Sequence, residues 1–163
     1  VLLTLGKGTS LALEGGLVRN VERQAESTVF TPGAELRATF RNTGHPIAYG
    51  YGAETNVFRI QLPVYETPRR WITMSYCTSC VTGPRDDRHV VLVWGGQGDM
   101  VISGGMRGEA GLEGQPAILD IPVGAGHVIA YNFNGIHRDM NRGDFRLVWN
   151  ALINWNALPD DSP

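Results

Sequence analysis

The chain has 163 residues, of which 42% are hydrophobic and 18% are charged, with a formal net charge of −2. This composition predicts one folded domain over residues 1–163, and its low charge gives no electrostatic basis for binding nucleic acid. No apolar run approaches the roughly 20 residues of a membrane span, so no membrane span is expected. The first predicted element is a buried strand over residues 1–5, because four of these residues are apolar without alternation.

A turn over residues 6–10 follows this strand. Ser10 is the predicted cap of a short helix through Glu14, and Gly15 and Gly16 end that helix. Residues 36–40 alternate between apolar and polar side chains, which predicts a half-buried strand after a turn at Pro32 and Gly33. Three further strands and one exposed polar loop are predicted before residue 95: strands over residues 56–60, 71–76 and 89–94, and a loop over residues 83–88.

The clearest hairpin is predicted from residues 116–133, with its connection at residues 123–126, where glycines supply the positive φ values of a tight turn. The last predicted element is a helix capped by Asp144. Its predicted apolar face consists of residues at helical spacing: Phe145, Val148, Trp149, Leu152 and Ile153.

The histidines are the first residues to consider for a metal site. They are spread along the chain, and none stands in an H-x-x-E or H-E-x-x-H arrangement: His45, His89, His127 and His137. Because zinc needs three or four convergent ligands, we predict no metal site and no cofactor.

Cys77 and Cys80 form the one C-x-x-C pair. A redox pair usually stands at the start of a helix, which lowers the thiol pKa, but the flanking residues here predict strand and loop. We therefore predict a disulfide between Cys77 and Cys80 in an oxidising compartment. Free buried thiols and half of a structural zinc site are the remaining alternatives.

Residues 5–10 have the strand–turn–helix outline of a nucleophile elbow. Gly6 and Lys7, however, occupy the turn where a serine or cysteine nucleophile is required. Ser10 acting with a distant histidine is the alternative nucleophile. The sequence therefore predicts no catalytic residue.

His137, Arg138 and Arg142 precede the C-terminal helix, whose first N–H groups attract negative charge. These three residues are candidates for an anion-binding site. Alternatively, they pair with Asp139, Asp144 or backbone carbonyls and hold the hairpin against the helix.

Several runs of sequence occur in the same order in one known module. They are ISGGMRGE at 102–109, LEGQPAILDIPVGAGHVIAYNF at 112–133, GDFRLVWNAL at 143–152 and GHPIAYGY at 44–51. Together they resemble the glutamine amidotransferase-like domain at the C-terminus of many secreted carboxypeptidase A-type zinc peptidases. The resemblance covers most of the chain, and its strength lies in the collinear order.

The resemblance implies an α/β fold, namely a β-rich, partial class I glutamine amidotransferase-like (flavodoxin-like) sheet with a C-terminal helix. It also implies a secreted, extracellular or periplasmic location. The zinc-binding peptidase domain and the amidotransferase nucleophile have no counterpart in this sequence, and the domain is expected to be truncated at its first strands. Since Val1 is not a methionine, we expect either processing or an incomplete sequence.

We therefore expect a non-catalytic accessory domain of a secreted zinc carboxypeptidase-like precursor, with the parent peptidase domain as its partner. The alternative is a self-associating structural subunit of an extracellular assembly, in which the partner is another copy. Low surface charge and exposed strand edges favour this homo-oligomer. An enzyme with an unrecognised site is the third hypothesis.

Overall fold

The structure, a computed structural model, describes residues 1–68, 86–139 and 141–159. It has a mixed α/β fold that is rich in strands, which confirms the predicted fold class at this level. The α-helices are α1 (Thr9–Leu13) and α2 (Arg142–Ile153). The strands are β1 (Leu2–Leu5), β2 (Glu22–Arg23), β3 (Phe30–Phe40), β4 (Glu54–Arg59), β5 (Tyr65–Glu66), β6 (Val90–Trp94), β7 (Val101–Arg107), β8 (Pro116–Val123) and β9 (Gly126–Tyr131).

Seven of these strands form one curled mixed sheet in the order β1-β9-β8-β6-β3-β4, with β7 also pairing with β3. β1 runs parallel to β9, and the other described pairs in this sheet are antiparallel. β2 and β5 form a separate two-stranded sheet. The predicted hairpin of β8 and β9 is confirmed, as is the buried strand β6.

The two helices pack on opposite faces of the sheet. Val128 and Ala130 of β9 lie in a cluster with Ala12 and Leu13 of α1. The intervening Ile129 and Tyr131 lie in the larger cluster with Leu147, Val148 and Ala151 of α2. Since alternate side chains of a strand point to opposite faces, the sheet separates two apolar cores.

β1 is an edge strand, and the prediction that it is buried is wrong. Among the described residues it pairs with β9 alone, at the end of the strand order. Leu2 is 39% exposed, whereas Thr4 is buried and contacts Thr9 of α1. The apolar run of β1 therefore does not reflect burial on both faces.

The predicted turn at Pro32 and Gly33 is also wrong, because both residues lie inside β3. The pairing of β3 with β7 shifts register between Phe30 and Gly33. Gly104 of β7 has a φ of +86°, and a Cβ atom there would lie 2.5 Å from the carbonyl oxygen of Gly33. The glycines therefore permit a close approach of two strands rather than a reversal of the chain.

Two helix caps differ from those predicted. α1 begins at Thr9 with Gly8 before it, so Ser10 lies inside the helix and does not cap it. α2 begins at Arg142 after Asn141, and Asp144 is buried in its first turn instead of capping it. In both cases the helix begins at least one residue before the polar residue that was predicted to cap it.

The predicted apolar face of α2 is largely its exposed face. Trp149, Leu152 and Ile153 are 58%, 48% and 70% exposed, and of the predicted set Val148 alone is fully buried. The rotation of the helix is set by its polar side chains. Asn150 donates to the carbonyls of Ile47 and Tyr49 at 2.9 and 2.8 Å, and Arg146 donates to that of Gly50 at 2.8 Å.

Arg59 at the end of β4 is fully buried. Its guanidinium donates to Thr31 and to the carbonyls of Leu62 at 2.7 Å and Pro63 at 3.3 Å. It also lies 5.7 Å from the centre of the Trp94 ring. Burial lowers the pKa of Arg59 to about 10, so this side chain organises the loop after β4 while remaining charged near neutral pH.

Three predictions fall wholly or partly outside the described residues: the strand over residues 71–76, the pair Cys77 and Cys80, and the first half of the loop over residues 83–88. Within the part of the chain that the structure describes, no helix is long and apolar enough to cross a membrane.

Candidate functional site

The three residues predicted to bind an anion lie close together in sequence but do not converge. His137 stacks on the ring of Phe58, with the ring centres 5.1 Å apart. Arg142 pairs with Asp139 at 3.1 Å in an exposed position. Arg138 is exposed and has a φ of +52°. The contacts of Arg142 and His137 are those of side chains that hold the turn before α2 in place.

A groove of about 410 Å³ lies beside this turn. The side chains of Glu35 and Phe58 line it, together with Asn141, whose amide nitrogen donates to both carboxyl oxygens of Glu35 at 2.9 and 3.1 Å. Partial burial raises the pKa of the Glu35 carboxyl. The groove thus contains the aromatic ring of Phe58 and the carboxyl group of Glu35, which is already hydrogen-bonded to Asn141.

Asp144 lies behind this groove and is 1% exposed. Its Oδ2 atom accepts a hydrogen bond from the backbone N–H of Phe58 at 3.2 Å. Burial, with a smaller contribution from the charge of Glu35, raises the pKa of Asp144 to about 8. Asp144 therefore carries a proton over most of the acidic and neutral pH range, and it joins α2 to β4.

A second polar cluster connects distant parts of the chain through Asp120. Asp120 is buried in β8, and its two carboxyl oxygens contact Nε2 of His45 at 3.0 Å and Nδ1 of His127 at 2.8 Å. The Nδ1 atom of His45 accepts from the backbone N–H of Ile47 at 3.2 Å. Because that nitrogen is an acceptor, the proton of neutral His45 is on Nε2 and is donated to Asp120.

A small pocket of about 130 Å³ opens above His45 and Asp120, and His89 and Asn42 also line it. An aspartate bound to Nδ1 of a histidine is also the orienting pair of a catalytic triad. Through its contact with His45, Asp120 ties the loop after β3 to the β8–β9 hairpin.

The strand–turn–helix outline at the start of the chain is present, with Gly6 in the left-handed region at a φ of +54°. Ser10, the alternative nucleophile, contacts the Tyr65 hydroxyl at 2.8 Å, and that hydroxyl donates to Glu14 at 2.7 Å. Burial raises the pKa of Tyr65 to about 12. A hydroxyl with this pKa is a poor general base for Ser10 at neutral pH.

The described residues contain no group of three or more histidine, cysteine, aspartate or glutamate side chains that could hold a metal ion. Cys77 and Cys80 lie beyond the residues to which this finding applies.

Several apolar side chains at the start of β1 and in and just after α2 are exposed. Together we call them the edge surface and define it by Val1, Leu2, Trp149, Leu152, Ile153 and Trp155, which are 39% to 70% exposed. Val1 and Trp155 line one cleft with His127 and Leu158, which places the end of α2 next to the start of β1. The residues that follow β9 contact both elements. The backbone N–H of Gly6, just after β1, donates to the carbonyl of Phe133, and Gly135 lies against Val148 of α2.

The edge surface also has no charged side chain. Residues 1–6 and residues 147–159 contain no aspartate, glutamate, lysine or arginine. The opposite edge strand, β4, has the exposed Glu54, which pairs with Arg37 at 3.2 Å. Charged side chains on an edge strand hinder its pairing with another chain, and β1 lacks that protection.

The sequence predicts exposed strand edges, but it does not predict the Asp120 cluster or the exposed apolar face of α2. His45 and Asp120 are 75 residues apart and lie in different runs of sequence, so no local spacing relates them. The helical spacing of Trp149, Leu152 and Ile153 predicts a buried face, whereas these residues are exposed. The absence of charge from residue 147 to residue 159 was the available signal.

Comparison with protein-family models, with curated proteins and with solved structures finds no match.

Proposed function

We propose that this chain is a non-catalytic accessory domain of a secreted zinc carboxypeptidase-like precursor, and that it acts by binding another polypeptide. The observation that carries the binding role is the edge surface. An exposed strand edge next to exposed tryptophan, leucine and isoleucine side chains is chemically suited to a polypeptide partner. The link to the peptidase rests on the collinear sequence resemblance.

Two features of the chain support a partial amidotransferase-like domain as the origin of this surface. In such a domain the strand corresponding to β1 is central, and additional strands and a helix would lie beyond it. No described strand pairs with the second side of β1, which bears no charged side chain, and the exposed face of α2 has the apolar residues of a helix that packs against a neighbour.

The non-catalytic role is supported by the composition of the elbow and of the Ser10 cluster. Gly6 stands where the amidotransferase nucleophile would be, and a glycine has no side chain to attack an amide. Ser10 contacts the hydroxyl of Tyr65, which in turn donates to Glu14, rather than a histidine. Hydrolysis of peptide or glutamine amides by the isolated 163-residue chain would overturn this part of the proposal.

The second candidate is a self-associating structural subunit of an extracellular assembly. It is favoured by one observation, the lack of charged residues on β1, which leaves the strand open to pairing with an identical edge. In this case the chain would act without a peptidase domain.

The reading frame that encodes the chain decides between the two candidates. The proposal predicts a preceding peptidase domain that contains an H-x-x-E pair and a later histidine. Mass spectrometry of the secreted product then shows whether both domains remain on one polypeptide. A reading frame without these zinc ligands would contradict the accessory role.

A further inference from the structure

We propose that the groove beside the turn before α2 binds a primary ammonium group on an aliphatic stem, as in a lysine side chain or a free alkylamine. Glu35 of β3 supplies the carboxylate, Phe58 of β4 the aromatic wall and Ser103 of β7 a hydroxyl group. β4 stands at the opposite end of the described strand order from β1, so this inference is independent of the edge surface.

Three side chains of the groove stand in one row across the sheet. Glu35 is the cross-strand partner of Phe58 on one side and of Ser103 on the other. Side chains directly opposite one another on antiparallel strands point to the same face, with their Cβ atoms about 5 Å apart. A group that binds the carboxyl of Glu35 is therefore within reach of both the aromatic ring and the hydroxyl.

The carboxyl of Glu35 has no cationic partner among the residues that the structure describes. Its hydrogen bonds come from the neutral amide of Asn141, at 2.9 and 3.1 Å. Arg37, two residues along the same strand, pairs with Glu54 at 3.2 Å and with Asp99 at 3.3 Å instead. A half-buried carboxyl without a counter-ion favours the binding of a cation in the groove.

A second carboxyl lies directly behind the groove. Asp144 is 1% exposed, and its Oδ1 atom has no hydrogen-bond partner among the described residues. Its Oδ2 atom accepts from the backbone N–H of Phe58, which places the carboxyl next to the aromatic wall. Burial, with a contribution from the charge of Glu35, raises the pKa of Asp144 to about 8. A cation bound to Glu35 offsets that repulsion between the two carboxyls, whereas an anion adds to it.

The chemistry of the groove favours a primary ammonium over other cations. Asn141 already donates to both oxygens of Glu35, which hinders the bidentate contact that a guanidinium makes with a carboxylate. An ammonium needs only one oxygen lone pair, and its other N–H groups can reach the Ser103 hydroxyl and the Phe58 ring. The described residues hold no group of three metal-binding side chains, so a metal ion is not favoured.

The size of the groove fits a ligand with an aliphatic stem. Its volume of about 410 Å³ lies in the range of ligand pockets, roughly 300 to 1,000 Å³, and exceeds what a bare ion needs. Gly33, Ala34 and Gly104 also line it. Because these residues have little or no side chain, an unbranched stem can lie against the backbone.

An NMR titration of the 163-residue chain with butylammonium chloride tests the proposal. The backbone amide signals of Phe58 and Ser103 and the side-chain amide signals of Asn141 should shift and reach saturation. Butanol has the same stem without the charge and should give no saturable shift. Butylguanidinium should bind about threefold more weakly or worse, because Asn141 occupies the two oxygens that its planar fork requires.

Glu35→Gln should weaken the binding of butylammonium about tenfold or more, because the charge is lost while an oxygen still accepts from Asn141. Glu54→Gln is the matched control, since it makes the same change in net charge at an exposed residue of β4 that pairs with Arg37. It should leave the affinity within about twofold of the wild type. Amide signals outside the groove that match those of the wild type show that each variant is folded.

Nα-acetyl-lysine methylamide distinguishes the two sources of the ammonium group. If it binds at least as tightly as butylammonium, the ligand is a lysine side chain of a polypeptide, and if it binds more weakly, the ligand is a free alkylamine. Absence of saturable shifts with both ammonium compounds would overturn the proposal. Equal affinity of the wild type and the folded Glu35→Gln variant would also overturn it, as would butanol or butylguanidinium that binds as tightly as butylammonium.

Discussion

Asp144 in the first turn of α2 accepts a hydrogen bond from the backbone N–H of Phe58 in β4, with 3.2 Å between Oδ2 and N. This bond joins the C-terminal helix to the strand at the far end of the sheet from β1. The carboxyl is buried, and its pKa of about 8 means that the folded protein holds it in the protonated form at neutral pH. Ionisation of Asp144 therefore affects the contact between α2 and β4, and the stability of this contact depends on pH.

The free energy of unfolding should fall as pH rises from about 4 to about 8, because the Asp144 pKa is about 8 when folded against an ordinary value of 3.8. The folded state binds this proton more tightly, so its stabilising effect is complete at low pH and is lost as pH approaches the folded-state pKa. The upper limit is roughly 6 kcal/mol, at about 1.4 kcal/mol per pKa unit.

Urea unfolding of the wild type and of Asp144→Asn across this pH range measures the effect. The asparagine oxygen still accepts from Phe58 but does not titrate, so the variant should gain stability relative to the wild type as pH rises. Parallel stability curves for the two proteins would contradict the assignment of a raised pKa to Asp144.

Substitution of Gly104 tests the close contact between β3 and β7. In Gly104→Ala the new Cβ would lie 2.5 Å from the carbonyl oxygen of Gly33, on a residue with a φ of +86°. We expect a loss of about 2 to 3 kcal/mol in the free energy of unfolding. The neighbouring Gly105→Ala is the matched control, because no atom lies within 4 Å of its Cβ position. Equal losses in the two variants would show that the contact does not restrict Gly104.

Imidazole nitrogen NMR tests the Asp120 cluster. Neutral His45 should carry its proton on Nε2, since Nδ1 accepts from the backbone N–H of Ile47 and Nε2 contacts Asp120. The long-range nitrogen–proton correlations should therefore show the Nε2–H tautomer, with slow exchange of that proton. In Asp120→Ala the proton should exchange faster. A Nδ1–H tautomer in the wild type would contradict this hydrogen-bond arrangement.

The buried Arg59 should be among the most sensitive positions in the fold. Arg59→Met removes the donors to the carbonyls of Leu62 and Pro63 and leaves these acceptors unpaired. We expect a loss of about 3 kcal/mol in the free energy of unfolding. Arg41→Met, at an exposed arginine after β3, should change stability by less than about 0.5 kcal/mol. Similar effects at the two positions would show that the buried contacts of Arg59 contribute little.

Local sequence patterns were sufficient for several elements of the fold. The β8–β9 hairpin and strand β6 followed from apolar runs and glycine-containing turns, because these signals lie within a few residues of each other. The existence of α2 followed from helical spacing in the same way. Such elements depend mainly on local propensity and turn chemistry.

The errors arose where distant contacts decide the outcome. The helical face of α2 was assigned incorrectly because Asn150 binds carbonyls about 100 residues earlier in the chain, and these bonds orient the helix. The turn at Pro32 and Gly33 was incorrect because β7 pairs alongside them. The contacts of His45 with Asp120 likewise join residues with no common motif.

The central claim is that β1 and the exposed face of α2 form a polypeptide-binding surface. Hydrogen–deuterium exchange tests it most directly, by comparing the isolated chain at high dilution with the longer secreted polypeptide that contains it. The account predicts slower exchange in the bound form at Leu2–Leu5, where the backbone gains a partner strand, and around residues 149–155. Exchange that is equally fast in both forms at these residues would contradict the claim.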